Sequence, residues 1–352
     1  MKILAIETSC DETAIALAEC SNKKFNLISN IVSSQVKLHK KYGGVYPFLA
    51  RREHEKNLVP VLKKALKGFL IKGNSKNARE FLTREKILSK RLEVFLKNYK
   101  KPHIDAIAVT KGPGLAPCLW TGVNFSRALA HAWHLPLIPI NHIEAHIFAN
   151  FKKIEFPGLA LIVSGGHTQL ILIEKIGKYK IIGETRDDAA GECFDKIARI
   201  LGLGYPGGPA IEKRAKQKTK KKVQLPRPMI YSKDYDFSFS GLKTAVLYKS
   251  KKNKLTNDYI TAMARESQQA IIDVLIKKTI KASKDFKIKS IILGGGVSAN
   301  KELQKQFRKK TKIIFADKKF CTDNAAMVAF TACLNPKSVD LKKVVAEPNL
   351  RL

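Results

Sequence analysis

The N-terminal part of the chain alternates short apolar runs with a polar turn. Residues 2–6 have the composition of a buried strand, and residues 14–18 repeat it after the polar residues 7–13. Two apolar runs of this length around a short turn are typical of a β-hairpin. The same arrangement returns at residues 159–163 and 170–173, so the pattern predicts two hairpins.

A second kind of unit also occurs twice. The apolar residues 104–109 lead into a glycine-rich turn and then a helical stretch at residues 121–133. Residues 291–293 lead in the same way into a turn of three glycines and another helical stretch. Because the two kinds of unit recur in the same order, we predict two similar α/β halves.

Helical periodicity fills much of the remaining chain. Apolar residues recur at helical spacing over residues 58–70, 81–96 and 262–280. We therefore predict an N-terminal lobe at 1–150 with a basic helical insert near 55–101, a C-terminal lobe at 151–335, and a tail at 336–352. The basic residues 213–222 are interpreted mainly as a solvated helix end and loop, with phosphate contact as the alternative. The basic residues 72–101 are assigned no role.

The charge balance is strongly basic. The 352 residues include 65 Lys and Arg against 30 Asp and Glu, for a net charge of +35. A surplus of this size favours a polyanionic partner, above all nucleic acid. The alternative is a solvated basic surface with no specific ligand.

The cysteines and the apolar runs bear on the compartment. The six cysteines are scattered without close pairs, so they indicate neither a disulfide framework nor a zinc ribbon and suggest a reducing compartment. No apolar run is long enough for a signal peptide or a membrane span. We therefore expect a soluble cytoplasmic protein with no membrane partner.

A histidine pair is the first sign of chemistry. His142 and His146 lie four residues apart, just after the apolar residues 137–140. If a helix begins near Asn141, both imidazoles project from one face and can share a metal ion. The alternative is a capped, half-buried helix start with no metal, which is common at this spacing.

The turns of the two hairpins, and the triple glycine, are rich in groups that bind anions. Ser164, Gly165 and Gly166 offer backbone N–H groups and a hydroxyl, and glycine lets a phosphate approach the backbone closely. Any tight hairpin favours the same residues, so one such turn is weak evidence. Two of them, together with the glycines at 294–296, resemble the nucleotide cleft of the actin, Hsp70 and hexokinase superfamily.

Eight short motifs in order carry a closer resemblance. They are ETSCDET (7–13), NHIEAH (141–146), VSGGHT (163–168), DDAAGE (187–192), YPGGP (205–209), FSFSGLK (237–243), GGGVSAN (294–300) and CTDN (321–324). Together they resemble the bacterial TsaD family, the tRNA threonylcarbamoyladenosine synthase subunit once called an O-sialoglycoprotein endopeptidase. The resemblance implies a two-lobed α/β fold of the actin/Hsp70/hexokinase (ASKHA) type with a duplicated domain.

The resemblance also implies a reaction and a metal site. The family transfers a threonylcarbamoyl group from threonylcarbamoyl-AMP to the exocyclic amine of the adenosine beside the anticodon, in tRNAs reading codons that begin with adenine, and AMP leaves. By resemblance, His142, His146 and Asp323 hold one divalent ion, Fe²⁺ or alternatively Zn²⁺. Such a set leaves coordination positions open, as a catalytic site requires.

The resemblance also implies a set of substrate-binding residues. They are Ile162, Val163, Ser164, Gly165 and Gly166 around the phosphate and threonyl group, Asp195 and Glu212 toward the ribose, Gly208 beside the nucleotide, and Asn300 toward the adenine. The family usually has Asp where this chain has Glu212, and residues 47–52 also depart from its pattern. Asp11 and Glu12 are candidate proton acceptors for the attacking amine, with hydrogen bonding to the turn backbone as the alternative.

Three other functions remain as alternatives, and partners follow from the resemblance. A metallopeptidase needs a glutamate directly after the first histidine, whereas Glu144 lies two positions on. A sugar kinase or chaperone-like ATPase of the same fold is the second, and a non-catalytic binding subunit is the third. The implied partners are tRNA, a degenerate paralogue (TsaB-like), a small P-loop ATPase (TsaE-like) and a separate enzyme that makes the adenylate.

Overall fold

The computed structural model describes residues 1–21, 24–152 and 154–352, which form two compact units. The first unit comprises Met1–His39, Val45–Phe151 and Asp323–Leu352. The second comprises Lys40–Gly44 and Lys152–Thr322.

Strands and helices are numbered here in chain order. The strands are β1 Lys2–Glu7, β2 Glu12–Ser21, β3 Lys24–Ser34, β4 Ile71–Lys72, β5 Tyr99–Lys100, β6 Ala106–Gly112, β7 Leu137–Asn141, β8 Gly158–Val163, β9 Thr168–Lys175, β10 Lys178–Glu184, β11 Ser290–Gly294 and β12 Ile313–Phe315. The α-helices are α1 Val36–His39, α2 Pro47–Ala65, α3 Lys86–Asn98, α4 Ala116–Trp133, α5 His142–Phe148, α6 Ala190–Ile200, α7 Gly207–Ala215, α8 Ser240–Lys252, α9 Asn257–Asp285, α10 Lys301–Lys310 and α11 Ala325–Leu334. Short 3-10 turns lie at Lys40–Tyr42, Arg79–Phe81, Gly296–Ala299, Lys318–Phe320 and Leu341–Lys343.

Each unit contains a five-stranded sheet with the same arrangement. In the first, the order is β3-β2-β1-β6-β7, and in the second it is β10-β9-β8-β11-β12. The first three strands of each order are antiparallel and the last two pairings are parallel. This repetition confirms the predicted duplication of an α/β domain, and both predicted hairpins are present as β1–β2 and β8–β9.

The central strands have continuous apolar segments because both faces of the sheet are covered. Residues 3–6 of β1 and 14–18 of β2 are fully buried. Helices α2, α4 and α11 pack against this sheet. Strands covered in this way have continuous rather than alternating apolar residues, which is the pattern seen in the sequence.

The predicted helices are present, with shifted ends. Residues 58–70 fall largely within α2, which begins earlier because Pro47 occupies its first turn, where the missing N–H has no cost. Residues 81–96 correspond to α3 and residues 262–280 lie inside α9. Helix α9 begins after Thr256, whose hydroxyl accepts a hydrogen bond from the Tyr259 N–H.

The end of the chain returns to the first unit. Helix α11, which the sequence placed in the C-terminal lobe, packs against β1, β2 and α5. The tail continues along the same unit, where Val339 pairs with Leu137 of β7 and the Glu347 N–H donates to the Lys111 carbonyl at 2.7 Å. Nothing in the local pattern of α11, a uniformly apolar helix, indicates which sheet it covers.

One cysteine pair corrects the expectation from sequence. Cys20 of β2 and Cys333 of α11 form a disulfide, although 313 residues separate them. The other four cysteines are free. The expectation of no disulfide is therefore wrong for this pair, because only the packing of α11 on the first sheet brings the two side chains together. Among the described residues, no helix has the length and apolar character to cross a membrane.

Candidate functional site

The histidine pair is positioned by a well-capped helix at the end of β7. The Asn141 side chain accepts hydrogen bonds from the Ile143 N–H at 2.8 Å and the Glu144 N–H at 3.2 Å, which begins α5. His142 and His146 are both buried, and their ring centroids lie 4.6 Å apart. The helix start expected from sequence is thus confirmed, with both imidazoles on one face.

Asp323 reaches the same place from the far end of the chain. It precedes Asn324, whose side chain caps α11 by accepting from the Met327 N–H at 3.2 Å. Asp323 Oδ1 lies 3.1 Å from His146 Nε2 and 3.6 Å from His142 Nε2. The structure therefore brings together the three predicted metal ligands, two of which are 177 residues apart.

These three side chains fit a divalent transition metal. Their ligand atoms all lie within 4.8 Å of one another. Two imidazole nitrogens and one carboxylate oxygen suit iron or zinc and leave coordination positions open for a substrate. The set is also largely buried, so an ion bound there would exchange part of its hydration shell for these protein ligands.

Oppositely charged side chains in this cluster shift one another's pKa values. Burial alone would raise the pKa of Asp323, but the neighbouring His142 and His146 hold it well below its usual range. Burial alone would lower the pKa of His142, but the carboxylates of Glu7 and Asp323 raise it to about 9. The cluster is therefore built around carboxylates that stay ionised, which is the form that binds a cation.

Glu7 is a residue to which sequence reasoning gave no role. It ends β1, is fully buried, and its Oε2 lies 3.1 Å from His142 Nδ1 and accepts from the Thr110 hydroxyl at 2.6 Å. Ser9 in the following turn points its hydroxyl toward Asp323 Oδ2 at 3.4 Å. A glutamate that closes an otherwise apolar strand was the available signal, since a buried carboxylate needs a partner.

The candidate proton acceptors lie on the same turn. Asp11 is buried, and its Oδ2 has no hydrogen-bond partner in the described part of the chain. Glu12 Oε1 accepts from the Ser34 hydroxyl at 3.1 Å. Burial and the charge of Asp323 raise the pKa of Asp11, and burial and the charges of Asp11 and Asp323 raise that of Glu12. A carboxylate made more basic in this way is better suited to accept a proton.

The predicted phosphate loop lies in the second unit, between β8 and β9. The Ser164 hydroxyl accepts from the His167 N–H at 3.0 Å, and Gly165 and Gly166 are exposed. By contrast, the side chains of Ile162 and Val163 are fully buried in β8. Only the residues of the turn itself therefore present backbone and hydroxyl groups to a ligand.

Two glycines allow other elements to approach this turn. The Gly191 N–H at the start of α6 donates to the Ser164 carbonyl at 3.1 Å, and a Cβ there would overlap that carbonyl. Gly295, with a φ of 84°, lies against the Val163 carbonyl in the same way. The hairpin turn, the α6 N-terminus and the triple-glycine turn thus meet within the second unit.

The remaining predicted substrate residues occupy varied positions in that unit. Asp195 Oδ1 accepts from the Gly207 N–H at 2.6 Å, and Gly208 beside it is open on the side where a Cβ would lie. Glu212 pairs with Lys216 at 2.7 Å. Asn300 caps α10 through the Leu303 N–H at 2.9 Å and donates to Gln268 at 2.9 Å. Their contacts with a nucleotide stay a prediction, and Asn300 has a structural role besides.

The duplicated α/β arrangement places the protein in the ASKHA fold class. One similar structure is full-length HypF in its phosphate- and nucleotide-bound form, with a TM-score of 0.55, 11% identity, and coverage of 95% of this chain and 46% of that chain. Another is (R)-2-hydroxyglutaryl-CoA dehydratase component A from Acidaminococcus fermentans, with a TM-score of 0.50, 11% identity, and coverage of 95% and 98%. At these identities the likeness concerns the fold alone.

Sequence comparison narrows the class to a family. The TsaD family model, tRNA N6-adenosine threonylcarbamoyltransferase, matches residues 26–74 and 85–330. A protein of that name from Persephonella marina is 46% identical over 341 residues, covering 94% of this chain and 89% of the relative. Another from Thermosipho africanus is 42% identical over 362 residues and covers both chains completely. The chain belongs to the tRNA N6-adenosine threonylcarbamoyltransferase family.

Membership of this family decides among the alternative functions that the sequence left open. The protein is a transferase that modifies tRNA, which accords with its basic surface. The peptidase, kinase and non-catalytic readings are not supported. Residues 75–84, between the two matched stretches, lie inside the predicted basic insert.

Proposed function

We propose that the protein transfers a threonylcarbamoyl group from threonylcarbamoyl-AMP to the N6 amine of the adenosine beside the anticodon, in tRNAs reading codons that begin with adenine. The amine nitrogen forms a bond to the carbamoyl carbon. The bond from that carbon to the phosphate oxygen breaks, and AMP leaves with its electron pair. The amine gives up one proton to a base.

The convergence of His142, His146 and Asp323 in a chain of this family carries the proposal. These residues would hold one divalent ion, with Fe²⁺ the first choice and Zn²⁺ the alternative. Such an ion supplies Lewis acidity and orients oxygen atoms of a substrate. The residues of the chain keep the required charge in place, because Asp323 stays ionised beside the two imidazoles.

The other groups of the first unit are assigned to proton transfer. An aryl amine is a weak nucleophile because its lone pair is delocalised, so it needs an activated acyl donor, close positioning and a proton acceptor. Asp11 and Glu12 lie on the turn whose Ser9 faces Asp323, and their raised pKa values suit that task.

The second unit is assigned to the adenylate. The exposed backbone of Ser164, Gly165 and Gly166 would bind the phosphate, because N–H groups in a glycine-rich turn attract anions. Asp195, Gly208, Glu212 and Asn300 would serve the nucleoside. In the cytoplasm, the proposed partners are a degenerate paralogue (TsaB-like), a small P-loop ATPase (TsaE-like) and the enzyme that makes the adenylate.

Mass spectrometry of tRNA nucleosides tests this function directly. Cells depleted of the protein should lose threonylcarbamoyladenosine and regain it when the protein is supplied again. Unchanged levels of that nucleoside would contradict the proposal. ATP-dependent phosphorylation of a small acceptor by the purified chain, without any need for tRNA, would support a kinase instead.

A further inference from the structure

Glu7 is the most deeply buried carboxylate beside the candidate metal site. Its side chain is inaccessible to solvent at the end of β1. Burying a charge at such a position is costly unless partners compensate it. Glu7 has three, since it accepts from the Thr110 hydroxyl and the Ser9 N–H and faces His142 Nδ1 at 3.1 Å.

This contact selects one orientation of the His142 ring. A carboxylate oxygen is an acceptor, so Nδ1 must carry the proton in order to donate to it. In the neutral imidazole, Nε2 is then left with its lone pair free. His142 Nε2 is the atom that lies 3.6 Å from Asp323 Oδ1, so the free lone pair points into the proposed metal site.

His146 provides a comparison within the same helix. Its Nε2 faces Asp323 Oδ1 at 3.1 Å, whereas its Nδ1 is buried with no hydrogen-bond partner among the described residues. The two histidines therefore differ in what lies behind them. The Nδ1 of His142 faces a buried carboxylate, whereas the Nδ1 of His146 faces no hydrogen-bond partner among the described residues.

We propose that Glu7 is a positioning residue that fixes the tautomer and orientation of His142 and increases its strength as a metal ligand. Glu7 itself lies behind the imidazole and is not a ligand. Carboxylates that accept a hydrogen bond from a metal-binding histidine act in this way in many proteins. The inference rests on the metal site of the proposed function.

Metal affinity tests the proposal with a matched control. Calorimetric titration of the full chain with Zn²⁺ is compared for the natural protein, Glu7→Gln and Glu85→Gln. Glu85 is another buried glutamate of the first unit, and its carboxylate accepts from Asn124. Glu7→Gln should bind zinc roughly 10–100-fold more weakly, and Glu85→Gln should bind it unchanged. Equal affinity of Glu7→Gln and the natural protein would overturn the inference and leave the metal site standing.

A second measurement needs no variant and no metal. Nitrogen-15 NMR of the histidines, followed to alkaline pH until the His142 ring is neutral, reports which ring nitrogen carries the proton. We expect the Nδ1-protonated tautomer for His142, and the Nε2-protonated form would overturn the inference. If the natural protein binds no zinc, the metal site fails by itself, while the tautomer still decides whether Glu7 orients His142.

Discussion

The turns of the two hairpins occupy the same place in duplicated sheets but differ in chemistry. The turn between β1 and β2 is bounded by Glu7 and Glu12 and is largely buried. The turn between β8 and β9 contains Ser164, two exposed glycines and His167, and no carboxylate. One architecture therefore supports a carboxylate-bounded site in the first unit and an N–H-rich turn without carboxylates in the second.

The difference concerns the chemistry that each turn offers. Carboxylates and histidines attract a cation and exchange protons, whereas backbone N–H groups and hydroxyls suit an anion. The first turn is held partly by an ionisable side chain, because His54 of α2 contacts the Cys10 carbonyl at 3.0 Å and the Thr13 hydroxyl at 2.8 Å. The second turn is held by backbone groups and the Ser164 hydroxyl.

Removing a histidine of the first unit should have the largest effect. His142→Ala should lower threonylcarbamoyl transfer roughly 1,000-fold, about 4 kcal/mol in activation free energy, since a catalytic ion contributes several kcal/mol. Transfer to tRNA from preformed threonylcarbamoyl-AMP is the measurement. The exposed His103 of the same unit provides the control His103→Ala, which should retain full activity. Undiminished transfer by His142→Ala would show that the carboxylate-bounded site takes no part in the reaction.

Lowering the pH should destabilise the folded first unit, because His54 is buried there. Burial lowers the pKa of His54 from 6.5 to about 4, so the unfolded chain takes up a proton at a pH where the folded chain does not. Above pH 6.5, His54 is neutral in both the folded and the unfolded chain and does not reduce the free energy of unfolding. As the pH falls toward 4, protonation of His54 in the unfolded chain lowers that free energy by about 3 kcal/mol. Denaturant unfolding of the natural protein and of His54→Gln should therefore differ in slope across this interval. Parallel pH profiles would contradict the assignment.

A methyl group at Gly295 should disturb the second turn. Its φ of 84° disfavours other residues, and a Cβ would overlap the Val163 carbonyl. We expect Gly295→Ala to lower the free energy of unfolding by about 2 kcal/mol and to weaken AMP binding. The adjacent Gly296 has open space around a Cβ, so Gly296→Ala is the matched control in chemical denaturation. Equal stability of the two variants would show that the close approach is unimportant.

Removing the N-cap of α5 should have the smallest effect on the free energy of unfolding. Asn141→Ala removes the acceptor of two helix N–H groups and should cost about 1 kcal/mol of stability. It should also weaken zinc binding, because α5 carries both histidines. Thr256→Ala removes the cap of α9 in the second unit and should cost a similar amount with no change in zinc affinity. Equal zinc affinities of the two variants would show that the Asn141 cap does not affect the metal site.

Local sequence patterns determined much of this protein. Apolar runs around polar turns predicted both hairpins, and their recurrence predicted the duplicated domain. Asn141 before an i, i+4 histidine pair predicted a helix start with both rings on one face. These features depend on short runs of apolar residues and on the helical period, both of which residues close together in the chain determine. The assignment of residues to the reaction came from motifs in order rather than from any one spacing.

Only the tertiary structure decided which distant groups meet. Asp323 joins His146 across 177 residues, and Cys20 joins Cys333 across 313. Glu7 reaches His142 because β1, β6 and β7 are adjacent in one sheet, with α5 directly after the last of them. No local period encodes such contacts, since they arise when an apolar helix such as α11 buries its surface on a sheet formed much earlier in the chain. The physical reason is that hydrophobic burial is non-directional, so the partner of α11 is set by the packing of the whole unit.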